Sequence, residues 1–193
     1  MKRIFEQGEF NRYSQVRLDE AKAPILSYVL HFGKRKATVF ISHKHDDLVD
    51  LKGIIGFLEK EFGIIAYIDS LDTNMPRITS AETAKRIKDR INQCDKFILL
   101  ATNGAVESIW CNWELGYGDA KKYDKDIALF PMKPYGTSDD SYKGSEYLSI
   151  YPIIVYLNGN DKDDNENRIE KGYYVLKNTD EGEVVTPLAE WFN

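Results

Sequence analysis

The segment Ser108-Ile109-Trp110-Cys111-Asn112-Trp113-Glu114 sets a carboxylate four residues after an indole. On a helix that spacing puts Trp110 and Glu114 on one face. A carboxylate so placed can accept hydrogen bonds from the hydroxyls of a ribose and stabilise positive charge developing at its anomeric carbon, while the ring offers a stacking surface. Three further polar groups, Ser42-His43-Lys44, Asp69 and Thr102-Asn103-Gly104, each follow a short apolar run. Each of these residues also has a plainer use. An acid early in a helix can serve the macrodipole, tryptophans fill cores, and an aspartate after a strand can cap a turn. His43 and His45 lack a third ligand at a suitable spacing, so they read as loop histidines rather than metal ligands. Cys111 has no evident base and reads as a small buried apolar residue. No Walker-type phosphate loop or dinucleotide glycine fingerprint follows a strand, and Gly116-Tyr117-Gly118 falls within a helix.

Positioning these groups requires a sheet. Ala37-Thr38-Val39-Phe40-Ile41-Ser42, Ile64-Ile65-Ala66-Tyr67-Ile68 and Lys96-Phe97-Ile98-Leu99-Leu100-Ala101-Thr102 are short, apolar and bounded by polar residues, as strands buried on both faces are. Residues 127–132 and 150–157 supply two more. Between them, Leu51, Ile54, Ile55, Leu58 and Phe62 form a helical stripe that Gly63 ends. Ser80 with Thr83 suits a helix start, after which Ala84, Ile87, Ile91 and Cys94 share a face. Residues 110–123 form the next helix. The alternation predicts an α/β fold with a central parallel sheet flanked by helices, because each crossover must return right-handed across the sheet. In such sheets ligands bind beyond the carboxyl ends of the strands, the edge where the three polar groups and the start of the Glu114 helix fall.

Composition bounds the function. With 193 residues, 42% hydrophobic and 12% aromatic, the chain can bury one core of ordinary size. A net charge of -5 argues against nucleic acid as a partner. Two cysteines, Cys94 and Cys111, support neither a disulfide framework nor structural zinc and suit a reducing compartment. No stretch of about 20 apolar residues predicts a membrane span. A cytoplasmic protein is expected. Residues 1–35 read as an N-terminal helical extension, with a helix over 11–32 interrupted near Pro24. Residues 36–157 read as the main domain. Residues 158–193 read as an acidic linker, 158–167, followed by a small strand and a closing helix that dock on the domain.

Val39-Phe40-Ile41-Ser42-His43, Asp46-Asp47, Tyr67-Ile68-Asp69 with the long loop after it, Phe97-Ile98-Leu99-Leu100-Ala101-Thr102 and Ser108-Ile109-Trp110-Cys111-Asn112-Trp113-Glu114-Leu115 together resemble the Toll/interleukin-1 receptor (TIR) family. The similarity is to bacterial members of the NAD-cleaving, antiphage-defence (Thoeris-like) type. It implies a flavodoxin-like, three-layer fold with five parallel strands. It also implies a glycohydrolase or cyclase that cleaves the nicotinamide–ribose bond of NAD+ and yields an ADP-ribose-derived signal. The resemblance makes Glu114 catalytic and places Ser42, His43, Lys44, Asp69 and Trp110 at the substrate. NAD+ is then a substrate and no cofactor or metal is called for. The loop over 71–79 would gate the site and mediate TIR–TIR self-association, and a separate effector would read the signal. The alternatives are a noncatalytic TIR adaptor or effector and a nucleoside deoxyribosyltransferase-like enzyme.

Overall fold

The computed structural model describes residues 3–14, 36–68, 80–122, 125–138, 150–163 and 166–193. A short strand β1 (Phe5–Glu6) precedes five parallel strands: β2 (Thr38–Ser42), β3 (Ile65–Tyr67), β4 (Lys96–Ala101), β5 (Ile127–Lys133) and β6 (Ile153–Leu157). The five lie in the order β3-β2-β4-β5-β6, the expected parallel sheet. Val39 and Ile41 join the core on one face while Phe40 joins the core on the other, so β2 is apolar throughout because both its faces are covered.

Helix α1 (Leu48–Phe62) buries Leu51, Ile54, Ile55 and Leu58 against the first face, and Gly63 closes it in a left-handed conformation at φ 65°. Helix α2 (Ala81–Gln93) covers the other face with Ile87 and Ile91. Its cap is reciprocal: the Ser80 hydroxyl accepts the Thr83 amide and the Thr83 hydroxyl accepts the Ser80 amide. A single turn α3 (Asn103–Val106) then leads to α4 (Ile109–Lys122), whose Cys111 and Leu115 also pack on the second face. These helices complete three layers.

Two strands were not visible in the residue pattern. The tail forms a hairpin of β7 (Gly172–Thr179) and β8 (Gly182–Pro187), antiparallel beyond β6, where a single strand was expected. None of the β8 residues is fully buried, so no apolar run marks it, and Gly182 at φ 128° supplies the turn. The short helix α5 (Leu188–Trp191) returns Leu188 and Trp191 to the core. In the acidic stretch before the hairpin, the Asp163 amide donates to the Asn167 carbonyl and the backbones of Lys162 and Arg168 pair in an isolated antiparallel β-bridge.

Strand β1 pairs in parallel with the far end of β5, Phe5 opposite Met132, while Arg3 exchanges backbone hydrogen bonds with Tyr156 of β6. Only two residues long, it carries no period to read. The turn after it is held by Asp50 of α1, which accepts from the Gly8 amide at 2.6 Å and from the Gln7 side chain at 3.2 Å. Phe5 stacks on Phe130 at 4.6 Å, and Phe10 closes over α1. Of the helix expected over 11–32, a 3-10 turn at Asn11–Tyr13 is described and the rest lies outside the described residues.

The closeness of the Phe10 segment to α1 reverses an ordinary mutational rule. Glycine to alanine inside a helix usually stabilises by about 0.5–1 kcal/mol. A Cβ at Gly53 would lie 2.6 Å from the Phe10 carbonyl oxygen, whereas one at Gly116 meets nothing within 4 Å. Gly53→Ala is therefore expected to lower stability by about 1–3 kcal/mol through overpacking, and Gly116→Ala to leave it equal or raised. Urea denaturation of both variants checks this, and a stabilised Gly53→Ala protein would contradict the docking of the N-terminal segment.

Candidate functional site

Strand β2 ends at Ser42, strand β4 at Ala101, and both face the same carboxyl edge because the two strands are parallel neighbours in register, Ser42 opposite Leu99. Helix α4 begins from that edge. The Ser108 hydroxyl accepts the Cys111 amide at its first turn. One turn further on, Glu114 turns inward and is only 2% exposed. The Ser42 hydroxyl donates to its Oε2 at 2.5 Å, across 72 positions of sequence. A hydroxyl-to-carboxylate bond this short belongs to the charge-assisted class. It is the strong interaction expected where a carboxylate has lost its water.

Helix α4 can bring Glu114 that deep because Gly118, one turn later, has no side chain. A Cβ there would stand 2.9 Å from the ring of Phe97 on β4. The Gly116-Tyr117-Gly118 segment, excluded as a phosphate loop, thus has a packing role at Gly118. At the far end of the helix the buried Lys122 ammonium donates to the Cys94 carbonyl, and burial lowers its pKa.

Two turns of chain leave the strands at this edge. After β2, His43 is buried with its Nδ1 3.3 Å from the Ile41 carbonyl, and Lys44 reaches Asp46 at 3.1 Å. After β4, Thr102 caps α3 by accepting the Ala105 amide, and its hydroxyl donates to Asp47 Oδ2 at 2.6 Å. Asp47 and Thr102 are both buried. In the sequence Thr102 is a polar residue at this edge and Asp47 part of a motif, with no role evident for either. Their signal is an aspartate opening one helix and a threonine capping the next, on adjacent parallel strands.

Trp110 lies one turn before Glu114, as the spacing requires, but its ring stacks on Trp113 at 4.9 Å. Trp113 continues onto Tyr117, and the Lys88 ammonium lies over both of those rings. Asp69 and the loop over 71–79 lie outside the described residues. Cys94 and Cys111 are buried, and burial pushes the Cys94 thiol up to about 12, so its thiolate is scarce near neutral pH. Among the described residues no group of three His, Cys, Asp or Glu side chains could hold a metal ion, and no helix is long and apolar enough to cross a membrane.

A strand-end serine pinned to a buried helical glutamate, on a β3-β2-β4-β5-β6 parallel sheet, defines a doubly wound α/β domain with its candidate site at the carboxyl edge. The family model of the TIR domain matches residues 39–170, and the chain belongs to that family. A Bacillus cereus (strain MSX-D12) protein described as "Probable 3' cyclic ADP-D-ribose synthase ThsB'" is 32% identical over 119 residues, 61% of this chain and 60% of that protein. The chain thus spans about 60% of the length of that curated relative. Among solved structures, a prokaryotic SEFIR domain aligns with a TM-score of 0.43 and 13% identity, covering 58% of this chain and 77% of that one.

The buried Asp47 yields a pH test. Burial is the largest influence on its carboxyl and raises it above its ordinary 3.8, while the Thr102 hydrogen bond pulls it down and Asp50 adds to the rise. An acid raised by folding favours the native state in its protonated form. That contribution is complete below the unfolded value and is lost as pH climbs through the folded one. Asp47→Asn, which stays neutral and can still accept from Thr102, is expected to gain stability over wild type between pH 4 and pH 7. Urea midpoints at the two pH values measure the gain, and a loss at pH 7 would show that the ionised hydrogen bond outweighs burial.

Proposed function

We propose that this protein cleaves the nicotinamide–ribose bond of NAD+ and releases an ADP-ribose-derived signal in bacterial antiphage defence. The observation that carries the proposal is the buried Glu114 carboxylate, held by the Ser42 hydroxyl at 2.5 Å on the ligand edge of a TIR domain. The name of the Bacillus cereus relative supports it, and makes a cyclised ADP-ribose the first product to look for.

One carboxylate suffices for this chemistry. Glycosidases that expel an alkoxide need a second carboxyl to protonate it. Nicotinamide departs from a cationic pyridinium and takes the bonding electron pair as a neutral molecule, so no proton donor is required. The demand falls on the other fragment, whose anomeric carbon becomes positive as the bond lengthens. A desolvated carboxylate acts strongly on that charge because little water screens it. Ser42 holds one oxygen of Glu114 in place, and the carboxylate also accepts hydrogen bonds from ribose hydroxyls. Whether water or a hydroxyl of the substrate then attacks the cation decides between hydrolysis and cyclisation. His43, Lys44, Asp69 and Trp110 are proposed to border the substrate. Self-association through TIR–TIR contacts, a separate effector that reads the product, and a cytoplasmic location where NAD+ is available complete the reading.

Glu114→Gln keeps the shape of the side chain and removes its charge. Nicotinamide release from NAD+, followed by chromatography at high protein concentration and in phage-infected lysate, is expected to fall by about 100-fold or more. Ser42→Ala should lose less, about tenfold, because it frees the carboxylate without removing it. Equal release from wild type and Glu114→Gln would sink the catalytic reading and favour an adaptor acting through TIR–TIR contacts.

A further inference from the structure

The chain carries a net charge of -5, yet the substrate proposed above contains a diphosphate, so a cation placed beside the site would offset the unfavourable overall charge locally. Lys44 is positioned two residues beyond Ser42, on the same strand end. Two residues of chain reach at most about 7 Å. In NAD+ the nearer phosphate is one ribose ring from the bond that breaks, a comparable distance.

The Lys44 side chain is not simply projecting into solvent. It lies across Gly104 in the turn after β4. A Cβ on Gly104 would stand 2.9 Å from the Lys44 Cδ and 3.3 Å from its Nζ. The neighbouring Asp46 that pairs with the ammonium has its own side chain 74% exposed, so this contact is readily exchanged for a phosphate. Two backbone turns must keep their separation for this arrangement to exist, and a buried hydrogen bond joins them. Thr102, immediately before α3, donates to Asp47 at 2.6 Å, and the Asp47 amide donates to the Lys44 carbonyl at 2.9 Å. The same Thr102 oxygen accepts the Ala105 amide, so the turn that contains Gly104 is fixed by the residue that fixes Lys44.

We infer that Thr102 and Gly104 are positioning residues for the substrate's diphosphate: Thr102 latches the β4 turn to the β2 turn, and Gly104 leaves the groove in which Lys44 lies. The inference rests on the NAD+ reading for the identity of the ligand, though not on turnover. Its expected signature is a change in binding confined to ligands that carry the diphosphate.

Calorimetric binding of ADP-ribose and of nicotinamide riboside, which has no phosphate, tests this on the full chain. Lys44→Ala is expected to weaken ADP-ribose by about tenfold by removing one charge-assisted contact, Gly104→Ala to weaken it by less because its Cβ only pushes aside the flexible Lys44 stem, and the double variant to match Lys44→Ala. Thr102→Val should weaken it several-fold, with Thr102→Ser restoring wild-type affinity because serine keeps both hydrogen bonds. Nicotinamide riboside should bind all of these proteins equally. The inference is overturned if both ligands weaken together, if Gly104→Ala retains its effect in the Lys44→Ala background, or if wild type does not bind ADP-ribose. A wild type that releases no nicotinamide but shows the Lys44-dependent pattern would defeat the cleavage proposal and leave the diphosphate clamp standing.

Discussion

A carboxylate removed from water must be held by donors, and at Glu114 the Ser42 hydroxyl takes up that task from the end of another element. Leaving such a group uncompensated costs several kcal/mol, so the bond constrains everything that brings its two ends together. Ser42 must end a strand whose faces are both covered, and that strand must lie beside β4 in register. Helix α4 must press onto β4 closely enough for Glu114 to reach across, which the missing side chain at Gly118 allows against Phe97. A desolvated carboxylate of this kind contributes little to folding. In the proposed reaction its value lies in the charge it offers the substrate at the sheet edge.

The central sheet was legible because burial on both faces leaves an unbroken apolar run, as in Val39-Phe40-Ile41 and Ile98-Leu99-Leu100. Amphipathic helices announced themselves in the same way through Leu51, Ile54, Ile55 and Leu58, with Gly63 as the stop. Elements that bury one face or none did not. The edge strand β8 exposes or half-buries every residue, and β1 is too short to show alternation. Both are defined by what they pair with, which no local window contains.

The same distinction runs through the site. Placing Glu114 and Ser42 at one edge follows from the topology of a parallel sheet. That the two touch depends on a helix–strand distance set by Gly118, and no spacing encodes a contact across 72 positions. Trp110 shows the limit of a helical-wheel argument. It lies four residues before Glu114, but Trp113 is an equally near neighbour at three, and the two large rings stack on each other. Asp47 and Thr102 carry no signal of each other in the sequence, 55 positions apart. Only the fold makes them partners, by setting the turn after β2 against the turn after β4.

In the proposed reaction, specificity and chemistry are divided between two strand ends and one helix of the TIR domain. On that proposal the β2 end would supply Ser42 and Lys44, the β4 end would support them, and α4 would supply the charge of Glu114. A crystal structure of the Glu114→Gln variant soaked with NAD+ tests this division most directly, since the variant should hold the dinucleotide without cleaving it. The account predicts the nicotinamide ribose with its hydroxyls in hydrogen-bond contact with the side chain at position 114 and its anomeric carbon facing it. NAD+ bound elsewhere, or with the adenine end at position 114, would contradict it.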